Sequence, residues 1–477
     1  MSAGFFPAFA EFAGNALKQP FPEVARSRAA DAIADCIGCM AAGRSEPLAE
    51  KLLRALPNSP CQDSRPGMAA MAFTDRTATA SDAALFNGAI AHALDFDDSS
   101  HPAYAHSSAV LVPAILAASR LAPFSGADAI AAYVVGLEMF GKLARGMNTR
   151  HYELGWHTTS TFGTLAAAAA VATLLRLPRE RIEGALNLAT TFAGGLRCHF
   201  GSMTKPLHAG MAARNGIVAA TLAQEEFTCS AESLDHQYGF APVFNGGPGS
   251  FDLAAMGVPG EDLELMTDYG VSLKAFPSCG ATHPGIEAAT RLHGWLAGRE
   301  VKSIRVGVSE LAFRPLIHHS PTDALQGKFS LEYCVSAGLL EGRVGIDTFT
   351  TERVRSPKVV DLIQRTTMVV DERVRHEKEW GTAVRVETVS GDVKEELVPL
   401  AIGKVGRWFP EDTLRAKFMD CTSRAIPASQ AERLYAALRD LSSLKDVASL
   451  EALMQMGQDH LAPVRTQEHS IMNGAQL

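Results

Sequence analysis

The sequence predicts a mainly α protein in two parts, a large all-helical domain and a smaller α+β lid. Apolar residues recur at three- and four-residue spacing from residue 5 to about 230. Alternating, strand-like stretches begin after about residue 268, and the helical period returns from about 410. The expected boundaries are 1–268 with 408–477 for the helical body and 269–407 for the lid. Strands are expected only in the lid.

At 477 residues the chain exceeds the size at which a single core stops growing. Its helical segments include "AADAIADCIGCMAAG", "DAALFNGAIAHAL", "AVLVPAILAASRLA", "GADAIAAYVVGLEMFGKLARG", "TFGTLAAAAAVATLLRL" and "RIEGALNLATTFAGG", divided by short polar or Pro/Gly breaks. Ala and Gly dominate them, so the helices can approach closely and bury several faces. In the lid, "VKSIRVGVSEL" puts Ile304, Val306 and Val308 on one face, and "TAVRVETVSGDVKEELVPL" alternates Val384, Val386 and Thr388 before a turn-like SGD. Helical patterns in "GIEAATRLHGWLAG" and "FSLEYCVSAGLLEG" lie between the strands. The last periodic segment, "AERLYAALRDLSSLKDVASLEALM", has no partner in the strand region and is expected to dock back on the body.

A hydrophobic content of 47%, 20% charged residues and a net charge of −8 describe a soluble globular protein. No long basic run offers itself to a phosphate backbone, which argues against nucleic acid as a partner. The N-terminal "MSAGFFPAFAEFAGNALK" lacks a basic leader and carries Glu11, unlike a secretory signal. The longest apolar run, "FGTLAAAAAVATLL", is too short and Ala-rich to span a bilayer. A cytoplasmic setting is expected, and eight scattered cysteines suit a reducing compartment. Cys36 and Cys39 share a CxxC spacing, but without a second pair or a nearby histidine they read as buried core thiols.

Chemistry concentrates in polar islands that interrupt apolar helices. "DFDDSSHPAYAHSS" sets Asp95, Asp97, Asp98, His101 and His106 on a loop after a helix. That composition fits an acid–base site, a metal site, or a solvated run of capping residues. "GWHTTS" places His157 before the Ala-rich helix, and "GSMTKPLHAGMAARNG" places Lys205 and His208 three residues apart. "KAFPSCGATHPG" offers Lys274, Cys279 and His283 in a Pro/Gly-rich turn. Lysines in this company oppose a divalent cation and favour a carboxylate ligand.

The ordered set NGAIAHALDFDD, GWHTTSTFGTLAAAAA, MTKPLHAGMAARNG, GFAPVFNGG, KAFPSCGATHPG and KFSLEYCVSAGLLEG resembles the MmgE/PrpD family over about residues 20 to 455. That family includes 2-methylcitrate dehydratases, cis-aconitate decarboxylases and an iminodisuccinate epimerase. The resemblance implies a site in the cleft between helical body and lid, usually in a homodimer, with no metal and no organic cofactor. It implies Asp95, His106, His157 and Lys205 as catalytic residues, with Ser99, Lys274, Cys279 and Tyr333 binding substrate.

Three departures mark this chain. Ser99 stands for a threonine, the loop before His106 is one residue longer with Ser rather than Pro after it, and Cys279 stands where the decarboxylase branch carries histidine. The last favours a 2-methylcitrate dehydratase-like lyase, with the epimerase and then the decarboxylase as alternatives; His283, four residues on, offers an imidazole nearby. The expected reaction is proton abstraction beside a carboxylate of a small di- or tricarboxylate. Two lysines would hold its carboxylates, and His106 or His157 would serve as a base that titrates near neutrality.

Overall fold

The computed structural model describes residues 4–60, 65–100, 102–374 and 380–455. His101 and residues 456–477 of the expected body lie outside the described residues. The helix Thr158–Leu174, which contains the Ala-rich run, is buried along its whole length. Side chains this small leave no exposed stripe to choose. The helices Ser108–Ala118, Gly126–Met147, Arg179–Phe192 and Thr204–Gln224 therefore pack around it. No helix among the described residues is long and apolar enough to cross a membrane.

Two of the helices cross unusually closely. A Cβ on Gly210 would lie 2.0 Å from the Leu85 carbonyl oxygen, and one on Gly88 would lie 2.7 Å from Gly210 Cα. The helix Ala80–Ala91 and the helix Thr204–Gln224 thus touch backbone to backbone. Their contact brings the loop after the first to the start of the second.

The expectation that strands are confined to the lid is corrected. Strands β1 (Ser59–Pro60), β2 (Met68–Met71) and β3 (Arg76–Thr79) form an antiparallel sheet in the body, with β3 in the middle. β2 is built of Met and Ala alone, β1 has two residues and β3 four, too little β-branched or aromatic sequence to register as strands. A helix supplies what a sheet neighbour normally would. Asn87 accepts from the Ala72 N–H at 2.7 Å and donates to the Ala70 carbonyl at 3.1 Å.

The lid sheet runs β5 (Thr366–Val370), β4 (Val301–Val308), β6 (Thr382–Thr388) and β7 (Val393–Val398) in space. β4 and β5 are parallel and the other pairs antiparallel. Val306, Val308, Val384 and Val386 bury one face against Leu292, Leu331 and Val335 of the helices His283–Leu296 and Leu331–Glu341. Beyond the lid the chain returns to the body. Leu414, Phe418, Leu434 and Leu438 join its core, and the Phe73 N–H donates to the Met454 carbonyl at 2.7 Å. Cys36 and Cys39 are buried core thiols.

Candidate active site

The helix Ala80–Ala91 ends at His92, and the chain then turns through Asp95, which adopts the left-handed region with φ 56°. A non-glycine residue there is uncommon and worth a cause. The close helix crossing puts Lys205, in the first turn of the Thr204–Gln224 helix, within 2.8 Å of Asp95 Oδ1. Lys274, from the chain leading into the lid, lies 3.1 Å from Oδ2 and also donates to the Asp95 carbonyl at 2.8 Å. Burial opposes ionising Asp95, but the ammonium groups of Lys205 and Lys274 outweigh it and hold the carboxyl well below its ordinary pKa.

His106 faces the same carboxylate, with Nε2 3.8 Å from Asp95 Oδ1. Its Nδ1 lies 2.7 Å from the Asp98 carbonyl oxygen, which can only accept, so Nδ1 carries the proton. Burial pushes the His106 imidazole well below its ordinary pKa. The ring is therefore neutral near pH 7 with its lone pair on Nε2. Burial, followed by the charge of Lys205, does the same to His157, whose Nδ1 stands 3.1 Å from Nδ1 of His208. The expectation of a base titrating near neutrality without large perturbation is corrected: the site is too dry.

The other expected residues divide. Cys279 is buried, which raises its thiol pKa, and Asp95, Lys274 and Lys205 are among the charges acting on it. Ser99 is fixed through its backbone, exchanging two hydrogen bonds with Ser272 at 2.9 and 2.8 Å. Tyr333 is fully buried in a lid core cluster with Val354 and Phe349. Its hydroxyl donates to the Thr348 carbonyl. His283 bonds the Ser278 carbonyl at 3.3 Å, and burial lowers it to about 3.

Sequence reasoning passed over His92. His92 Nδ1 donates to both oxygens of Asp97 at 2.9 and 3.0 Å, and its ring lies 4.2 Å from that of His106. Its Nε2 is buried without a hydrogen-bond partner among the described residues. Burial opposes ionisation of Asp97, but His92 and then His106 bring it down to about 2. The signal available was a lone histidine in an apolar helix three residues before Asp95. Asp98, by contrast, accepts from the Ser108 hydroxyl at 2.6 Å, and burial beside Asp97 raises it to about 7.

His92, Asp95, Asp97 and His106 bring their ligating atoms within 4.8 Å of one another, a spacing a metal ion would accept. The electrostatics oppose it, because both oxygens of Asp95 already face an ammonium group. A divalent cation would have to displace Lys205 and Lys274 or share Asp95 with them. The donor set suits an anionic ligand better.

The MmgE/PrpD N-terminal domain matches residues 7–251 and the MmgE/PrpD C-terminal domain matches residues 276–442. The cis-aconitate decarboxylase-like protein oryM of Aspergillus oryzae is 28% identical over 90% of this chain and 92% of its own length. Cis-aconitate decarboxylase of Mus musculus is 27% identical over 78% of each chain, and that of Aspergillus terreus 26% over 95% and 96%. With both of its domains matched, this chain belongs to the MmgE/PrpD family.

Proposed function

We propose that the protein is a cofactor-independent lyase that takes a proton from the carbon next to a carboxylate of a small di- or tricarboxylate. Dehydration of a 2-methylcitrate-like hydroxy acid is the first reading. One observation carries the proposal: Asp95 Oδ1 stands 2.8 Å from the Lys205 ammonium and 3.8 Å from His106 Nε2.

Removing a proton beside a carboxylate throws negative charge onto that carboxylate. Fixed cations in a site of low dielectric stabilise such charge best, and Lys205 and Lys274 supply two. His106 Nε2 takes the proton, and the C–H electron pair becomes the new double bond. The C–O bond breaks, and the departing hydroxide takes a proton from Lys205. Asp95 Oδ1, between the two groups, returns the proton from His106 to Lys205. His106 keeps its orientation throughout because its Nδ1–H stays on the Asp98 carbonyl.

Decarboxylation is the second reading, favoured by the names of the relatives. The same lysines would hold the substrate, but Cys279 stands where that branch carries histidine. Epimerisation of an imino-diacid begins with the same proton abstraction.

A panel of citrate-like, malate-like, cis-aconitate-like and imino- or amino-diacid substrates separates the readings. A new alkene with loss of hydroxyl supports dehydration, release of carbon dioxide supports decarboxylation, and inversion supports epimerisation. Failure to turn over any polycarboxylate contradicts the proposal.

A further inference from the structure

Three consecutive backbone carbonyls around the acidic centre each accept a hydrogen bond from a different lysine. Lys328 Nζ donates to the Leu94 carbonyl at 2.7 Å, Lys274 Nζ to that of Asp95 at 2.8 Å and Lys417 Nζ to that of Phe96 at 2.7 Å. The three lysines come from separate segments. Lys274 lies between body and lid, Lys328 follows the short lid helix Ala324–Gly327, and Lys417 sits in the returning helix Glu411–Thr422.

The clustering has a physical reason. Asp95 in the left-handed region turns successive carbonyls away from any helix or strand, and buried carbonyls need donors. Ammonium groups on long stems reach them from outside the loop and give charge-assisted bonds stronger than amide donors would. Lys417 is also held by Asp35 at 2.7 Å and lies 4.1 Å over the Phe96 ring, so it belongs to the core of the body.

Lys328 differs from the other two. It reaches the loop from the lid, and its own carbonyl accepts from the Cys279 N–H at 3.0 Å. Burial lowers its ammonium to about 8, with the Asp95 and Glu46 carboxylates pulling the other way.

We infer that Lys328 is a positioning residue of the site, gripping the Leu94 carbonyl from the lid and so fixing where the Asp95 carboxylate meets Lys205 and His106. The bond ties the lid to the loop that carries the acid, so the constellation is in register only when the lid segment is seated. Small displacements of a reacting group cost on the order of 100-fold in rate, which makes a backbone grip kinetically visible. The kinetic part of this inference rests on the proposed lyase reaction; the structural part does not.

The test is Lys328→Met in the full chain, measured by amide hydrogen exchange of the peptide covering residues 93–100 without substrate, by thermal unfolding, and by kcat and KM on the best substrate of the panel. The expected result is exchange about 10-fold faster over residues 94–100, reporting local opening of the loop. With it, kcat falls about 10-fold or more and KM stays within about 3-fold, because the Lys328 ammonium is engaged by the Leu94 carbonyl. Lower thermal stability with unchanged exchange and unchanged kcat would overturn the inference in favour of a structural role. A 10-fold rise in KM with kcat preserved would overturn it in favour of direct substrate binding. If the wild type turns over no carboxylate, the lyase reading fails while unchanged or accelerated exchange still decides the loop grip.

Discussion

Lys205 donates to Asp95 Oδ1 at 2.8 Å across a helix crossing that only glycine permits at positions 88 and 210. Side chains 110 residues apart in sequence thereby form the centre of the site. Replacing Lys205 with Met removes a cation that stabilises charge developing on the substrate, while Lys274 still pairs Asp95. We expect kcat/KM to fall by about 100-fold or more, with little change in thermal midpoint. Near-native turnover in the variant would remove Lys205 from the reaction.

The pH dependence is set by burial of the imidazoles. His106 and His157 lie well below their ordinary pKa, and His208 is lowered by burial to about 4. A base whose pKa is depressed keeps its lone pair to lower pH, so the acid limb of kcat/KM is expected below the free-imidazole value of about 6.5. The same shifts set the sign for stability. The unfolded chain takes up protons as pH falls through about 6.5 while the folded imidazoles resist; these outnumber Asp98, raised to about 7, and Asp35, raised to about 6, which act the other way, so stability is expected to drop on acidification from pH 7 to 5. A midpoint that rises over that interval would contradict the assignment.

Turnover is expected to be independent of metal. The two ammonium groups on Asp95 leave its oxygens poorly disposed to a divalent ion. Prolonged chelation followed by gel filtration is expected to leave activity intact, with substoichiometric metal by elemental analysis. Activity abolished by the chelator and restored by one metal would show that the His92, Asp95, Asp97 and His106 cluster is a metal site.

Tyr333→Phe separates structure from chemistry. The hydroxyl is buried and donates to the Thr348 carbonyl, within a lid core cluster with Val354 and Phe349. Its loss leaves a buried carbonyl without that donor, at an expected stability cost of about 1 to 2 kcal/mol. Turnover is expected to stay within about 3-fold of wild type, since the carbonyl it serves belongs to the lid core. A large loss of kcat with unchanged stability would show that Tyr333 acts on the substrate.

Much of this site is written in local pattern. The island of Asp95 and His106, the Lys205 turn and the Lys274 turn are polar runs set among apolar segments, and burying such runs is costly unless the polar groups find partners. Their convergence is not local: it depends on the Gly88–Gly210 contact, which pattern alone does not locate. His92 hid because one histidine at a helix end looks like a cap, and Lys328 because one lysine between two helices looks like a solvated side chain. The Met68–Thr79 hairpin hid because its strands are four residues each and the first is only Ala and Met, residues that suit a helix as well, and a helix asparagine completes its hydrogen bonding.

The central claim is that His106 removes a proton from carbon beside a carboxylate. Its most direct test is incubation of the active polycarboxylate in deuterated water with wild-type and His106→Gln enzyme, following deuterium at that carbon by NMR in recovered substrate and product. Deuterium is expected to appear with the wild type and to appear about 100-fold more slowly, or not at all, with the variant. Incorporation and turnover by the variant at the wild-type rate would contradict the account.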